Sequence, residues 1–179
     1  MANDLHTILT INLEKPGFTL ASAISDRDAH GQFFIAEEYL TAVELMTETC
    51  GEEIRLLRPR YMLLCQALEL CLKAFLLNRG VDAKTLNKPP MNHDLRLLLD
   101  ACQERLGSGK PFIAPKHQNM IRELAPAASM FYFRYGHKQP ATVLEVASIY
   151  VPLMSDALDA THGLFDVVRR EVLTIRGAS

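Results

Sequence analysis

Three polar side chains interrupt a long apolar helical stretch and are spaced so that they share one face. Gln66, Glu69 and Lys73 follow one another at intervals of three and four residues, which place side chains on the same side of an α-helix. Glu69 precedes Lys73 in the order that favours a helical ion pair, worth about 0.2–0.5 kcal/mol. One interpretation is a solvated strip with one ion pair. The other is a polar seam facing a groove, where Lys73 holds a phosphate and Glu69 orients Lys73.

A histidine stands where a second helical pattern opens, in the sequence Asn92-His93-Asp94. The free backbone N–H groups of a helix N-terminus attract anions, which makes His93 a candidate donor to a phosphate. The structural alternative packs its imidazole beneath the preceding Pro89-Pro90 turn. Asp94 lies in the same turn and would repel an anion, so it weighs against the phosphate interpretation.

The segment Phe131–Lys138 interleaves four aromatic residues with Arg134, His137 and Lys138. This composition suits the stacking of bases and the binding of phosphates. A helix end packed into a core explains it equally well, with Arg134 capping carbonyls or lying on a ring. The candidate ligand-binding residues are therefore Lys73, Glu69, His93, Arg134 and Tyr135.

No other constellation in the chain carries recognisable chemistry. The remaining histidines lack metal-ligand spacing: His6, His30, His117 and His162. The cysteines form no C-x-x-C pair, which favours reduced, mostly buried thiols: Cys50, Cys65, Cys71 and Cys102. We predict neither a metal nor a cofactor. Two small basic clusters are expected to be solvated surface, namely Arg55/Arg58/Arg60 and Arg169/Arg170.

Hydrophobic periodicity predicts the helices that position these residues. The first covers about residues 28–50 and ends at Gly51. The second begins near Arg58, because Pro59 suits a first helical turn, and ends at Gly80. Apolar side chains cover well over half of the second helix's circumference, which predicts the central helix of the domain.

The later helices are delimited by caps and prolines. Asn92 is predicted as the N-cap of a helix that ends at Gly107, with Asp94 in its first turn. A shorter helix runs from Pro115 to Leu124, where Pro126 interrupts it before a continuation to Tyr135. The last helix covers about residues 142–174 and is kinked at Pro152.

Length and composition favour one globular body. The chain has 179 residues, of which 49% are apolar, and a formal charge of −2, which removes any strong whole-molecule attraction to polyphosphate. The predicted fold is all-α, an antiparallel bundle of four to five helices over residues 28–176. Residues 1–27 form an N-terminal extension with a short irregular or β-like segment. No secretory signal or membrane span is recognisable, so a cytoplasmic protein is expected.

The order of these motifs resembles the HEPN family of helical domains. Residues 67–76, which read Ala-Leu-Glu-Leu-Cys-Leu-Lys-Ala-Phe-Leu, are similar to its core helix. His93-Asp94-Leu95, followed by Leu98-Leu99, resembles its second recurring element. Arg134-Tyr135-Gly136 looks like the arginine–tyrosine step near the closing helix. The resemblance implies homodimers, contact with nucleotides or RNA, and a nucleotidyltransferase or antitoxin partner in toxin–antitoxin or defence systems.

The chain departs from the pattern of the ribonuclease members of that family. Those members carry an arginine, four to six residues, and then a histidine, whereas only two residues separate Arg134 from His137. RNA cleavage without a metal needs a positioned acid or base at the 2′-hydroxyl. The leading expectation is therefore a non-catalytic HEPN-like module that binds a partner protein, a nucleotide or RNA. The alternatives are a ribonuclease that joins Arg134 and His137 across a dimer, and a purely structural interaction domain.

Overall fold

The chain folds as a helical bundle. The computed structural model describes residues 28–51, 56–107, 109–129 and 152–173. Those residues form six helices: α1 (Ala29–Cys50), α2 (Leu57–Asn78), α3 (Ala83–Leu86), α4 (Leu95–Leu106), α5 (Pro115–Ser129) and α6 (Met154–Leu173). They contain no strand, so the all-α prediction is confirmed. The N-terminal extension and three candidate residues, Arg134, Tyr135 and His137, lie outside the described residues.

Helix α2 is the centre of the bundle, as its apolar circumference predicts. It packs most extensively against α1 and also contacts α4, α5 and α6. Leu64, Leu68 and Leu72 on α2 are fully buried. Its length and composition alone would also allow α2 to cross a membrane, but 67% of its most apolar window is buried inside the protein. That burial is what a core helix requires.

Gly51 and Pro59 take the positions at the end of α1 and the start of α2 that the sequence predicts, and the N-cap of α1 is Asp28. Asp28 caps α1 by accepting a hydrogen bond from the Gly31 backbone N–H at 2.7 Å. Gly51 ends α1 with a positive φ of 54°. Pro59 lies in the first turn of α2, where a missing N–H group removes no intrahelical bond.

The N-cap of α4 is Asp94, so the prediction of Asn92 is wrong. Asp94 Oδ1 accepts hydrogen bonds from the backbone N–H groups of Arg96 and Leu97, at 2.9 and 3.1 Å. His93 has a φ of 67°, which is not helical, and this backbone delays the start of the helix by two residues. Asp94 therefore precedes the first helical turn instead of lying inside it.

Pro126 does not interrupt α5, which continues to Ser129. A proline leaves the carbonyl four residues earlier without its helical donor, here the carbonyl of Arg122. The guanidinium of Arg96 on α4 donates to that oxygen through Nε at 3.3 Å and Nη2 at 3.2 Å. This contact from a neighbouring helix replaces the bond that Pro126 removes.

Two further expectations are wrong. Pro152 precedes α6 instead of kinking it, and its carbonyl accepts a hydrogen bond from the hydroxyl of Tyr61. Arg60 is fully buried instead of solvated. Its guanidinium donates to the carbonyl oxygen of Gly51, at the C-terminus of α1, and to that of Leu56, the N-cap residue of α2.

Candidate functional site

Glu69 and Lys73 form a buried ion pair on α2. Their side chains are 8% and 5% exposed, and Lys73 Nζ lies 2.7 Å from Glu69 Oε1. The interpretation as a solvated strip is therefore wrong. The strip is buried because the segment between α3 and α4 lies over it: Asn87 Oδ1, in this segment, is 3.4 Å from Lys73 Nζ.

His93, near the other end of the segment between α3 and α4, also contacts the Glu69 carboxylate. Its Nδ1 lies 3.0 Å from Glu69 Oε1 and 2.9 Å from Oε2. An ionised carboxylate only accepts hydrogen bonds, so Nδ1 is the protonated donor in this contact. Nε2 lies on the opposite edge of the ring and is directed away from Glu69. The His93 side chain is 32% exposed, so part of the imidazole reaches the surface.

The backbone of His93 takes an uncommon conformation at this contact. A φ of 67° falls in the left-handed region, which few residues with a side chain adopt, although histidine is among the more frequent ones. Such conformations persist where surrounding contacts determine them. Here the imidazole is bonded to Glu69, and the next residue, Asp94, caps α4.

We call Glu69, Lys73, Asn87 and His93 the Glu69 cluster. It brings together Glu69 and Lys73, which were predicted from their spacing on one helix, and His93, which was predicted from a separate motif. Asn87 was missed by the sequence reasoning, and its position just before Lys88-Pro89-Pro90 was the only available signal. Gln66 is half-buried one turn before Glu69 on α2.

The helix N-terminus beside His93 is not an open anion site. The Asp94 carboxylate already accepts from the backbone N–H groups of Arg96 and Leu97, and its negative charge opposes that of an anion. A ligand anion at this place would therefore meet the side chain of His93 and not the end of α4.

The electrostatics of the Glu69 cluster depend on His93. Glu69 and Lys73 carry opposite charges, so the cluster is neutral with a neutral imidazole and carries a charge of about +1 with a protonated one. Protonated His93 can donate from Nε2 to an anion, and neutral His93 can offer a lone pair there. Lys84 on α3 and Lys88 on the covering segment are exposed and add positive charge to this part of the surface.

A second histidine–carboxylate contact joins α5 to α6. Asp159 Oδ2 is 2.9 Å from Lys116 Nζ and 3.1 Å from His117 Nε2. Hydrogen bonds from Lys116 and His117 lower the pKa of the Asp159 carboxyl below its usual value. The His117 ring lies against Gly163, where an added Cβ would be only 2.1 Å from His117 Nδ1. This close packing indicates a structural contact.

The described residues offer no metal site. No group of three or more histidine, cysteine, aspartate or glutamate side chains converges within them. The four cysteines are free thiols. Burial raises the pKa of the Cys71 and Cys102 thiols well above the usual value, which keeps both groups neutral and unreactive.

Comparison with models of known families, with curated proteins and with solved structures found no match. The geometry of the Glu69 cluster therefore carries the functional argument.

Proposed function

We propose that the chain is a non-catalytic, HEPN-like module that binds the phosphate of a nucleotide or of RNA at the Glu69 cluster. The observation that carries the proposal is the contact of His93 Nδ1 with Glu69, at 2.9 Å from Oε2. This contact holds a partly exposed imidazole in one orientation. An oriented imidazole at the surface can donate a charge-assisted hydrogen bond to a phosphate without first losing its conformational freedom.

The residues of the cluster have different roles in this proposal. His93 makes the direct contact, because it is the most exposed of the three charged or titratable members. Glu69 orients the ring. Lys73 neutralises Glu69, so the buried carboxylate does not repel an incoming phosphate. Lys84 on α3 and Lys88 on the segment that follows it are exposed and would supply long-range attraction.

Binding is tested with ADP, inorganic phosphate and a short single-stranded RNA, by calorimetry or fluorescence anisotropy at low salt. ADP binding alone indicates a nucleotide site, and binding of RNA alone indicates a polynucleotide site. We expect His93→Gln to weaken binding about tenfold or more, because a hydrogen bond to a charged group contributes about 1.5–3 kcal/mol. His162→Gln is the matched control, since His162 is an exposed histidine that also contacts a carboxylate. Full affinity in His93→Gln, or no affinity in the wild-type protein, contradicts the proposal.

Arg134 and Tyr135 are proposed as additional ligand contacts, on the strength of the aromatic and basic segment Phe131–Lys138. Arg134→Ala is expected to weaken binding of the same three probes while the far-ultraviolet circular dichroism spectrum stays unchanged. An unchanged affinity removes Arg134 from the site without affecting the role of His93.

We further propose a cytoplasmic homodimer that works beside a nucleotidyltransferase or an antitoxin. This proposal is supported by the resemblance of the sequence to the HEPN family. It is also supported by the contact of Glu69, on the central helix, with both Lys73 and His93. Co-purification with the product of a neighbouring gene tests the partner, and sedimentation tests the dimer. A chain that sediments as a monomer at all concentrations contradicts the dimer.

A structural interaction domain is the second candidate, favoured by the outer face of α1. Phe34 and Leu45 are large apolar side chains that remain exposed. Their separation of eleven residues is close to three helical turns, so they share a face. This candidate predicts dimerisation that Leu45→Glu disrupts, with no affinity for ADP or RNA.

A further inference from the structure

Helix α1 has one side in the core and one side open to solvent. Its main contacts with the other described helices are those with α2 and α6, and the side that faces them carries the buried residues Phe33, Ala36 and Val43. The open side carries Phe34 and Leu45, whose side chains are 46% and 57% exposed. Single exposed apolar residues are common in monomeric proteins, so the pattern of the whole side decides what it does.

The apolar positions on the open side have the same spacing in both directions along the helix. The side consists of Phe34, Ile35, Glu38, Ala42, Leu45 and Met46. The intervals from Ile35 to Leu45 are three, four and three residues, which is the repeat of a helix that packs along a second helix. Because this series is symmetric about its middle, a second α1 helix that runs in the opposite direction presents apolar residues to apolar residues.

We propose that the open side of α1 packs against the same side of α1 in a second copy of this chain, with the two helices antiparallel about a two-fold axis. A two-fold interface is self-complementary, so that each contact occurs twice. Ile35 then lies opposite Leu45 of the second copy, and Phe34 lies opposite its Met46. This inference deepens the proposed homodimer and rests on it, because it names the surface and the orientation through which the dimer forms.

The charge of α1 favours a second copy over an anionic occupant. The helix contains four glutamates and no lysine or arginine, so RNA and an anionic membrane surface would both be repelled. Glu37 and Glu44 lie on the side that contacts α6, and Glu38 is the charged group between the apolar positions. The antiparallel arrangement separates the two Glu38 residues by four positions, or about 6 Å along the helix. A parallel arrangement would place them directly opposite each other.

Sedimentation of the full chain over a series of concentrations tests the surface. We expect a reversible dimer that Leu45→Glu weakens about tenfold or more, because the new carboxylate faces Ile35 of the second copy in an apolar contact. Phe34→Glu should have the same effect. Leu97→Glu is the matched control, because Leu97 is an exposed leucine on α4, and its dimer should match the wild type. Circular dichroism of each variant establishes that it is folded.

Glu38 provides a change in the opposite direction. Glu38→Gln should strengthen the dimer severalfold, because it removes two like charges on either side of the two-fold axis. Added salt should strengthen the wild-type dimer for the same reason, since it screens that repulsion. A weaker dimer in Glu38→Gln contradicts the proposed arrangement.

Cross-linking with a short bismaleimide tests the orientation, in a Cys50→Ser background. The two copies of Thr41 are offset by about 3 Å along the antiparallel helices, and the two copies of Glu48 by about 24 Å. Thr41→Cys should therefore form a covalent dimer, and Glu48→Cys should not. Equal cross-linking of both variants indicates parallel helices and overturns the inference.

The outcomes separate this inference from the functions proposed above. A monomer at all concentrations overturns both the α1 interface and the proposed homodimer, and it leaves the phosphate site at His93 to its own binding test. This result would assign the open side of α1 to a different protein. A dimer that forms with wild-type affinity in Leu45→Glu and Phe34→Glu overturns the α1 interface alone.

Discussion

The buried Glu69 carboxylate needs compensation from more than one side chain. Transfer of a charge out of water is costly, and an ion pair offsets that cost only when the geometry is good and the remaining lone pairs have donors. Glu69 meets both conditions through Lys73, one turn along α2, and His93, 24 residues away. The contact with His93 therefore links the core helix to the segment that covers it.

Substitution of Lys73 tests how much the stability of the protein depends on compensation of the Glu69 charge. We expect Lys73→Met to lower the free energy of unfolding by about 3 kcal/mol, because loss of one partner leaves a buried charge with too little compensation. Urea unfolding followed by circular dichroism measures the change.

The matched control is the partly exposed ion pair Asp100–Arg122. Arg122→Met should cost less than about 1 kcal/mol, as surface ion pairs do. The double variant Glu69→Gln/Lys73→Met should recover part of the stability that Lys73→Met loses. Equal effects of Lys73→Met and Arg122→Met would show that burial adds nothing to the Glu69 pair.

The start of α4 and the continuation of α5 past Pro126 both depend on contacts with other parts of the bundle. The periodicity of α4 locates its apolar face correctly, with Leu95, Leu98 and Leu99 buried. Its cap was misassigned because Asn92 and Asp94 are both favourable capping residues. The non-helical φ of His93, which accompanies the contact with Glu69, decides between them. Similarly, Arg96 satisfies the carbonyl that Pro126 leaves without a donor in α5.

The cap assignment makes a direct prediction. We expect Asp94→Ala to destabilise the protein by about 1 kcal/mol, since two backbone N–H groups lose their acceptor. Asn92→Ala is the control and should have a much smaller effect. Thermal unfolding monitored at the helical circular dichroism band compares the two. Equal losses, or a larger loss in Asn92→Ala, would contradict the assignment of Asp94.

At the scale of the molecule, the bundle combines an apolar core around α2 with polar contacts at its surface. Phe33 of α1 lies against Phe165 of α6, with ring centroids 5.6 Å apart, and Arg169 of α6 contacts Glu37 of α1 at 2.7 Å. The contact of Asp159 with Lys116 and His117 joins α6 to α5 in the same manner. These surface contacts make a small part of the stability dependent on pH.

Asp159 supplies the pH prediction. Hydrogen bonds from Lys116 and His117 hold the pKa of Asp159 below its usual value in the folded state. A group with a lowered folded-state pKa adds stability above its unfolded pKa, and this stability is lost as the pH falls through the folded pKa. Asp159→Asn should therefore be less stable than the wild-type protein at neutral pH, and the difference should disappear in strong acid.

Urea unfolding over a series of pH values measures this difference. Asp156→Asn is the control, because Asp156 is an exposed carboxylate on α6 for which the described residues show no ion-pair partner. A difference between wild type and Asp159→Asn that stays constant from neutral pH into strong acid would contradict the prediction.

The sequence alone determined what depends on spacing along one helix. The apolar circumference of α2 specified a central helix, and the spacing of four residues placed Lys73 beside Glu69. Only the tertiary structure decided that this pair is buried, that His93 is its partner and that Asn87 joins it. Burial and pairing across 24 residues depend on how the segment after α3 packs over α2, and no local pattern specifies that packing. The same reason applies to Arg60, whose guanidinium donates to the Gly51 carbonyl at the end of α1, and to Arg122, whose carbonyl accepts from Arg96 of a neighbouring helix.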